Sequence, residues 1–152
     1  MRGHRWGILV CLLATGWVAA MSSAVSGAPP AAAPIYRLVV NVNNPASSLD
    51  RRFVQDAFLK KVKTWPDGEL IHPVDLKGNS PVRERFSLDL LRRPLAAIQA
   101  YWQQQIFSGR DVPPVAVETD AEVIRYLARY KGAIGYVSGS ASLVGAKAVT
   151  IW

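Results

Sequence analysis

The sequence predicts an α/β domain, a mixed sheet flanked by helices and gathered around one core. Segments rich in β-formers alternate with segments of helical period along residues 35–152, the arrangement that builds such sheets. Half of the 152 residues are hydrophobic and 19% are charged, which argues against a disordered chain. The single cysteine, Cys11, excludes a disulfide-stapled mini-protein, and the length excludes two large domains.

Each element has its own local reason. Ile35 to Val42 alternates and is rich in β-branched residues, and Asn43-Asn44-Pro45 ends it as a strand. A helix is expected from about Asp50 to Lys61, with Asp50 as cap. Leu49 and Val54 stand at the spacing of a hydrophobic staple, and Phe53, Ala57 and Phe58 form the apolar face. Trp65-Pro66-Asp67-Gly68 reads as a turn, and Leu70 to Val74 as a short strand. Ser80-Pro81 is an N-cap followed by proline at the first helical position, opening a helix to about Leu91. Arg92 and Arg93 sit at its C-terminal end, where cations suit the dipole.

Pro94 starts the next helix, with Ile98, Tyr101, Trp102 and Ile106 expected toward the core and Gly109 as its stop. Val115 to Val117 reads as a strand. Thr119 and Glu122 have capping-box spacing before Val123, Ile124 and Leu127, and Gly132 ends that helix. Ala133 to Val137 is a further strand, Ser138 to Ser142 a polar turn, and Ala146 to Trp152 a final strand.

The N-terminus reads as a secretory leader. Arg2 and Arg5 precede the apolar run Trp6 to Ala20, and small residues follow, with cuts expected after Ala20, Ala24 or Ala28. The rival is an uncleaved anchor, but Gly7 and Gly16 interrupt a run shorter than the roughly 20 residues a span needs. Residues 1–28 are thus expected to be the leader and 29–34 a Pro/Ala tether, with the folded domain at 35–152. Removing Arg2 and Arg5 lowers the formal charge from +7 to +5. It also leaves a cysteine-free domain whose one histidine is His72. The expected location is the periplasm or outside the cell.

The chemistry of the domain points away from catalysis. No cysteine accompanies His72, which stands in a strand between Ile71 and Pro73 and reads as a structural residue. One histidine without a carboxylate cluster makes no metal site, and no cofactor is implied. Lys60, Lys61 and Lys63, like Arg83, Arg85, Arg92 and Arg93, read as a solvated basic face, because no nucleic-acid motif accompanies them. The most suggestive segment is Lys77 to Arg83, which joins a strand to a helix start. There Asn79, Ser80 and Arg83 are the candidate ligand residues for an anion, although Ser80 is equally an ordinary N-cap.

Three blocks, in order, carry a resemblance: Val40 to Gly68 (VNVNNPASSLDRRFVQDAFLKKVKTWPDG), Ser80 to Phe86 (SPVRERF) and Lys131 to Val137 (KGAIGYV). Together they resemble the phosphate-type substrate-binding proteins of ABC transporters, a branch of the type 2 periplasmic-binding fold. The resemblance implies a short single-lobe variant of that fold, a small anion such as phosphate as ligand, and a membrane transporter as partner. Pro81 and Val82 replace the glycine and threonine of the family's serine segment, and Leu76 replaces the arginine expected four residues before Ser80. Pro81 offers no N–H and Val82 no hydroxyl.

Two functions follow as expectations. The first is an exported, phosphate-binding-protein-like domain that takes part in ABC-type uptake or sensing. Its site would be completed by a partner lobe or a homodimer, since one lobe buries little of a ligand. The alternative is an envelope protein-interaction module that keeps the fold without binding phosphate, using the basic helix ends or an exposed Trp65 or Trp102.

Overall fold

A computed structural model describes residues 33–152. The expected leader, and the first four residues of the expected tether, lie outside the described residues. The elements are β1 (Tyr36–Asn41), β2 (Ser48–Leu49), α1 (Arg51–Phe58), β3 (His72–Leu76), α2 (Pro81–Phe86), a π-helical turn (Ser87–Leu91), α3 (Leu95–Phe107), β4 (Val115–Val117), α4 (Asp120–Arg129), β5 (Ala133–Ser138), β6 (Ala146–Ala148) and β7 (Thr150–Ile151).

The main sheet has five strands in the order β4-β3-β5-β1-β6, and β2 pairs with β7 in a separate ribbon. β3 runs parallel to both β4 and β5, while β1 is antiparallel to β5 and β6. The mixed sheet flanked by helices is therefore as expected.

Alternation along β1 sends its side chains to two covered faces. On one face Tyr36 meets Phe86 of α2 edge-on at 5.7 Å. On the other the Asn41 amide donates to the Leu127 carbonyl of α4 at 2.6 Å.

The three sequence blocks meet in this core. Phe86, from the second, lies face to face with Tyr136, from the third, at 3.8 Å between ring centres. Phe58, from the first, packs edge-on against Phe86 at 4.8 Å.

The two glycines of the third block are required by close approach. A Cβ on Gly135 would lie 2.7 Å from Val74 Cγ1 and 2.9 Å from Val123 Cγ1, and one on Gly132 would run into the Leu70 carbonyl. The Trp turn docks beside them, with Trp65 Nε1–H donating to the Gly132 carbonyl at 2.9 Å.

The predicted caps form. Asp50 accepts from the Phe53 N–H at 3.0 Å, Ser80 from the Arg83 N–H at 3.2 Å, and Thr119 with Glu122 closes a capping box.

Five expectations are corrected. The strand expected at Leu70 to Val74 lies two residues later, because Leu70 is exposed and bridges Thr64 across the Trp turn. α1 stops at Phe58, and Lys60 turns to a φ of 53° where the helix was expected to run on. The helix expected to Leu91 loses its α form after Phe86, and the π-helical turn brings Ser87 Oγ onto the Arg93 carbonyl at 2.6 Å. The last strand breaks at Val149: β6 pairs with β1 and β7 with β2. Ile106 is 51% exposed rather than in the core, whereas Ile98 and Trp102 are buried as expected.

Candidate functional site

β3, β4 and β5 are mutually aligned, so their C-terminal ends, Leu76, Val117 and Ser138, share one edge of the sheet. In open α/β sheets, ligands approach this edge. The Lys77 to Ser80 connection leaves β3 here. Gly78, at φ 72°, supplies the left-handed conformation that turns the chain into α2. Asn79 is exposed and Ser80 half-buried. Because Ser80 Oγ accepts from the Arg83 N–H, its own hydroxyl hydrogen stays available to a ligand.

Arg83 is placed differently from Asn79 and Ser80. Its side chain turns back under the corner, is 15% exposed, and pairs with Asp75 of β3 at 2.8 Å. Nε–H also points at the Asp75 carboxylate, at 3.2 Å, and Nη1 donates to the Gly78 carbonyl at 2.7 Å. Of the five guanidinium N–H groups, one on each terminal nitrogen is left.

Asp75 is shared further, because the Tyr136 hydroxyl donates to it at 2.5 Å and the Leu76 N–H at 2.9 Å. Burial first, and then the Asp75 carboxylate, push the Tyr136 phenol far above its ordinary range, so it stays a neutral donor. Burial opposes the Arg83 charge, but the hydrogen bond and charge of Asp75 outweigh it and hold the guanidinium more firmly protonated.

The result is a brace of Asp75, Arg83 and Tyr136 tying β3, α2 and β5 together beneath the corner. Arg83 was legible in the sequence as a candidate, and its partners were not, because Tyr136 lies 61 residues from Asp75.

Around the corner the charges are mixed. Lys77 is held by Glu118 at 2.9 Å, and Asp120 receives the Ser138 hydroxyl at 2.5 Å. Leu76 turns its side chain into the core. Below the brace a cleft of about 500 Å³ opens between α3 and β4, lined by Asp75, Arg83, Trp102, Gln103, Ile106 and Pro113.

Trp65 and Trp102 are buried, at 5% and 8% exposure, so neither is the exposed aromatic that the interaction reading allowed. Phe107 and Trp152 are exposed instead, at 89% and 73%.

No family model matches the chain, nor does the sequence of any curated protein. Solved structures do match. An ABC-type phosphate transport receptor from Vibrio cholerae superposes with a TM-score of 0.58 at 18% identity, over 76% of this chain and 45% of its own. A Clostridium perfringens protein assigned as a phosphate ABC transporter substrate-binding protein, solved with bound phosphate, gives 0.60 at 18%, over 76% and 44%. PstS from Borrelia burgdorferi gives 0.58 at 11%, over 77% and 47%.

The fold is therefore that of the phosphate-type substrate-binding proteins. The match spans less than half the length of these receptors. The neighbours are transport receptors, and no helix among the described residues is long and apolar enough to cross a membrane.

Proposed function

We propose that the chain is an exported binding lobe, not an enzyme, that takes a small oxyanion such as phosphate at the Asn79–Arg83 corner. The observation that carries this reading is the position of the corner, at the C-terminal end of β3 in a fold otherwise found in phosphate receptors. The donors on hand are the Asn79 amide, the Ser80 hydroxyl and the two spare Arg83 N–H groups. A second lobe, from another chain or a second copy, covers the ligand, since this lobe alone leaves the corner open. A membrane transporter is the expected recipient, and export rests on the leader-like segment.

The test is a thermal-shift titration with inorganic phosphate and sulfate. Ligand at about 100 Kd adds roughly 2.7 kcal/mol to stability, and the shift should disappear in Asn79→Ala/Ser80→Ala while the variant still unfolds cooperatively. A flat response in the parent chain overturns the proposal.

A second reading, an envelope interaction module without a ligand, is favoured by the commitment of Arg83 to Asp75 and by exposed Ile106, Phe107, Val112 and Val115. It predicts the flat response together with a defined partner recovered from envelope extract.

A further inference from the structure

We propose that the open edge of β1 binds an extended acidic peptide of a partner protein, with Arg37 anchoring its carboxylate. The two edges of β1 are unequally used. β5 pairs with it from Tyr36 to Val40, whereas β6 pairs only with Val39 to Asn41. The Val149 N–H to Leu38 carbonyl bond, 3.0 Å, continues that side one step, and no strand among the described residues lies beyond it. Gly139 N–H donates to the Ile35 carbonyl, so the backbone of Tyr36, the next residue, points its N–H and C=O to the open side. An added strand would pair there.

A cleft of about 450 Å³ follows this edge, with Ile35, Val149 and Ile151 as apolar lining and Arg37, Arg85 and Asp89 as charged groups. Arg85 and Asp89 already satisfy each other at 2.9 Å. Arg37 is not satisfied. Nη2 donates to the Ala141 carbonyl, but Nε is buried without any hydrogen-bond partner among the described residues. No carboxylate among the described residues lies within 4.0 Å of Arg37, and residues 1–32 contain no Asp or Glu.

A half-buried guanidinium lacking both a counter-charge and one hydrogen bond is costly, and an incoming carboxylate on its remaining terminal N–H groups supplies the counter-charge. A free inorganic anion would use neither the apolar lining nor the open backbone groups; an extended peptide alternating apolar and acidic residues uses all three.

The experiment titrates N-acetylated, C-amidated Val-Asp-Val-Asp-Val into the isotope-labelled full chain and follows backbone amide shifts by NMR. Saturable shifts at Tyr36, Leu38 and Val149 are expected. The Val-Asn-Val-Asn-Val peptide and the Arg37→Gln variant should each bind about tenfold more weakly or worse, and Arg37→Lys should recover part of the loss. Three results would overturn the proposal: no saturable shift, equal binding of the two peptides, or inorganic phosphate producing the same shifts and displacing the peptide. Arg52→Gln, at an exposed position outside the cleft, checks that a general loss of positive charge does not mimic the Arg37 effect. Arg37→Gln should leave any phosphate response at the Asn79–Arg83 corner intact, so failure at one site is distinguishable from failure at the other.

Discussion

Replacing Asp75 by alanine is the most demanding perturbation of the structure. The Asp75 and Arg83 side chains are 19% and 15% exposed, so water compensates little when one is removed. Asp75→Ala strips the acceptor from Arg83 Nε and Nη2 and from the Tyr136 hydroxyl, leaving a cation and a phenol with unmet hydrogen bonds. Breaking a buried pair from one side costs about 3–5 kcal/mol, and the residual exposure places this site near 3 kcal/mol.

Arg83→Met is milder, about 1.5 kcal/mol, because the Tyr136 O–H and Leu76 N–H still serve the carboxylate. In the double variant no buried guanidinium is stranded. Its cost should be about 2 kcal/mol rather than the roughly 4.5 of the two singles together, a coupling of about 2.5 kcal/mol. Urea unfolding of the four proteins measures the cycle. A cost below about 1 kcal/mol for Asp75→Ala, or additivity within about 0.5 kcal/mol, would show that the guanidinium is not held as described. It would then be free to act as a full anion ligand. The same brace gives a functional corollary: Asp75→Asn removes the competing negative charge, so phosphate affinity at the corner should rise.

Three further outcomes can be checked by stability measurements alone. Gly135→Ala forces a methyl group against Val74 and Val123 and should cost about 1–3 kcal/mol, and Gly132→Ala, which meets backbone rather than side chain, should cost more. Trp65→Phe keeps a ring in the core but removes the indole donor from the Gly132 carbonyl, which retains the His72 N–H at 3.0 Å, so stability should fall by about 0.5–1.5 kcal/mol in thermal unfolding; an unchanged melting temperature would dismiss that hydrogen bond.

Acid should destabilise the domain. The Lys63 hydrogen bond and the Val112 N–H hold Asp111 below the usual carboxylate range, and the Glu118 and Thr119 N–H groups do the same for Glu122. A carboxylate whose pKa is lower folded than unfolded stabilises the fold above about pH 4 and loses that contribution as pH falls further. The urea midpoint should therefore drop between pH 6 and pH 3, and a constant midpoint would contradict the assignment.

Much of the architecture was determined by sequence alone, because its signals are short-range. Asp50, Ser80 and Thr119 each cap an amide three residues away, and a cap of that reach depends on hardly anything beyond its own turn. Alternation in β1 and β5 likewise records two covered faces wherever the strands are placed. The order of the three blocks was enough to indicate the family fold, since Phe58, Phe86, Gly135 and Tyr136 are the residues that pack it.

Tertiary structure decided what each charged side chain meets. The sequence offers Arg83 as a free cation at a helix start, and folding places it on Asp75 under Tyr136. Arg37 looked like one polar position in an alternating strand. It becomes a guanidinium without a counter-charge because no acid on the neighbouring described elements comes within 4.0 Å of it. Ile106 follows the helical pattern of Ile98 and Trp102 yet stays exposed, since a period identifies a face without saying how far the covering layer extends. Pairing of that kind depends on which surfaces meet across many residues of chain, and local pattern carries no record of it.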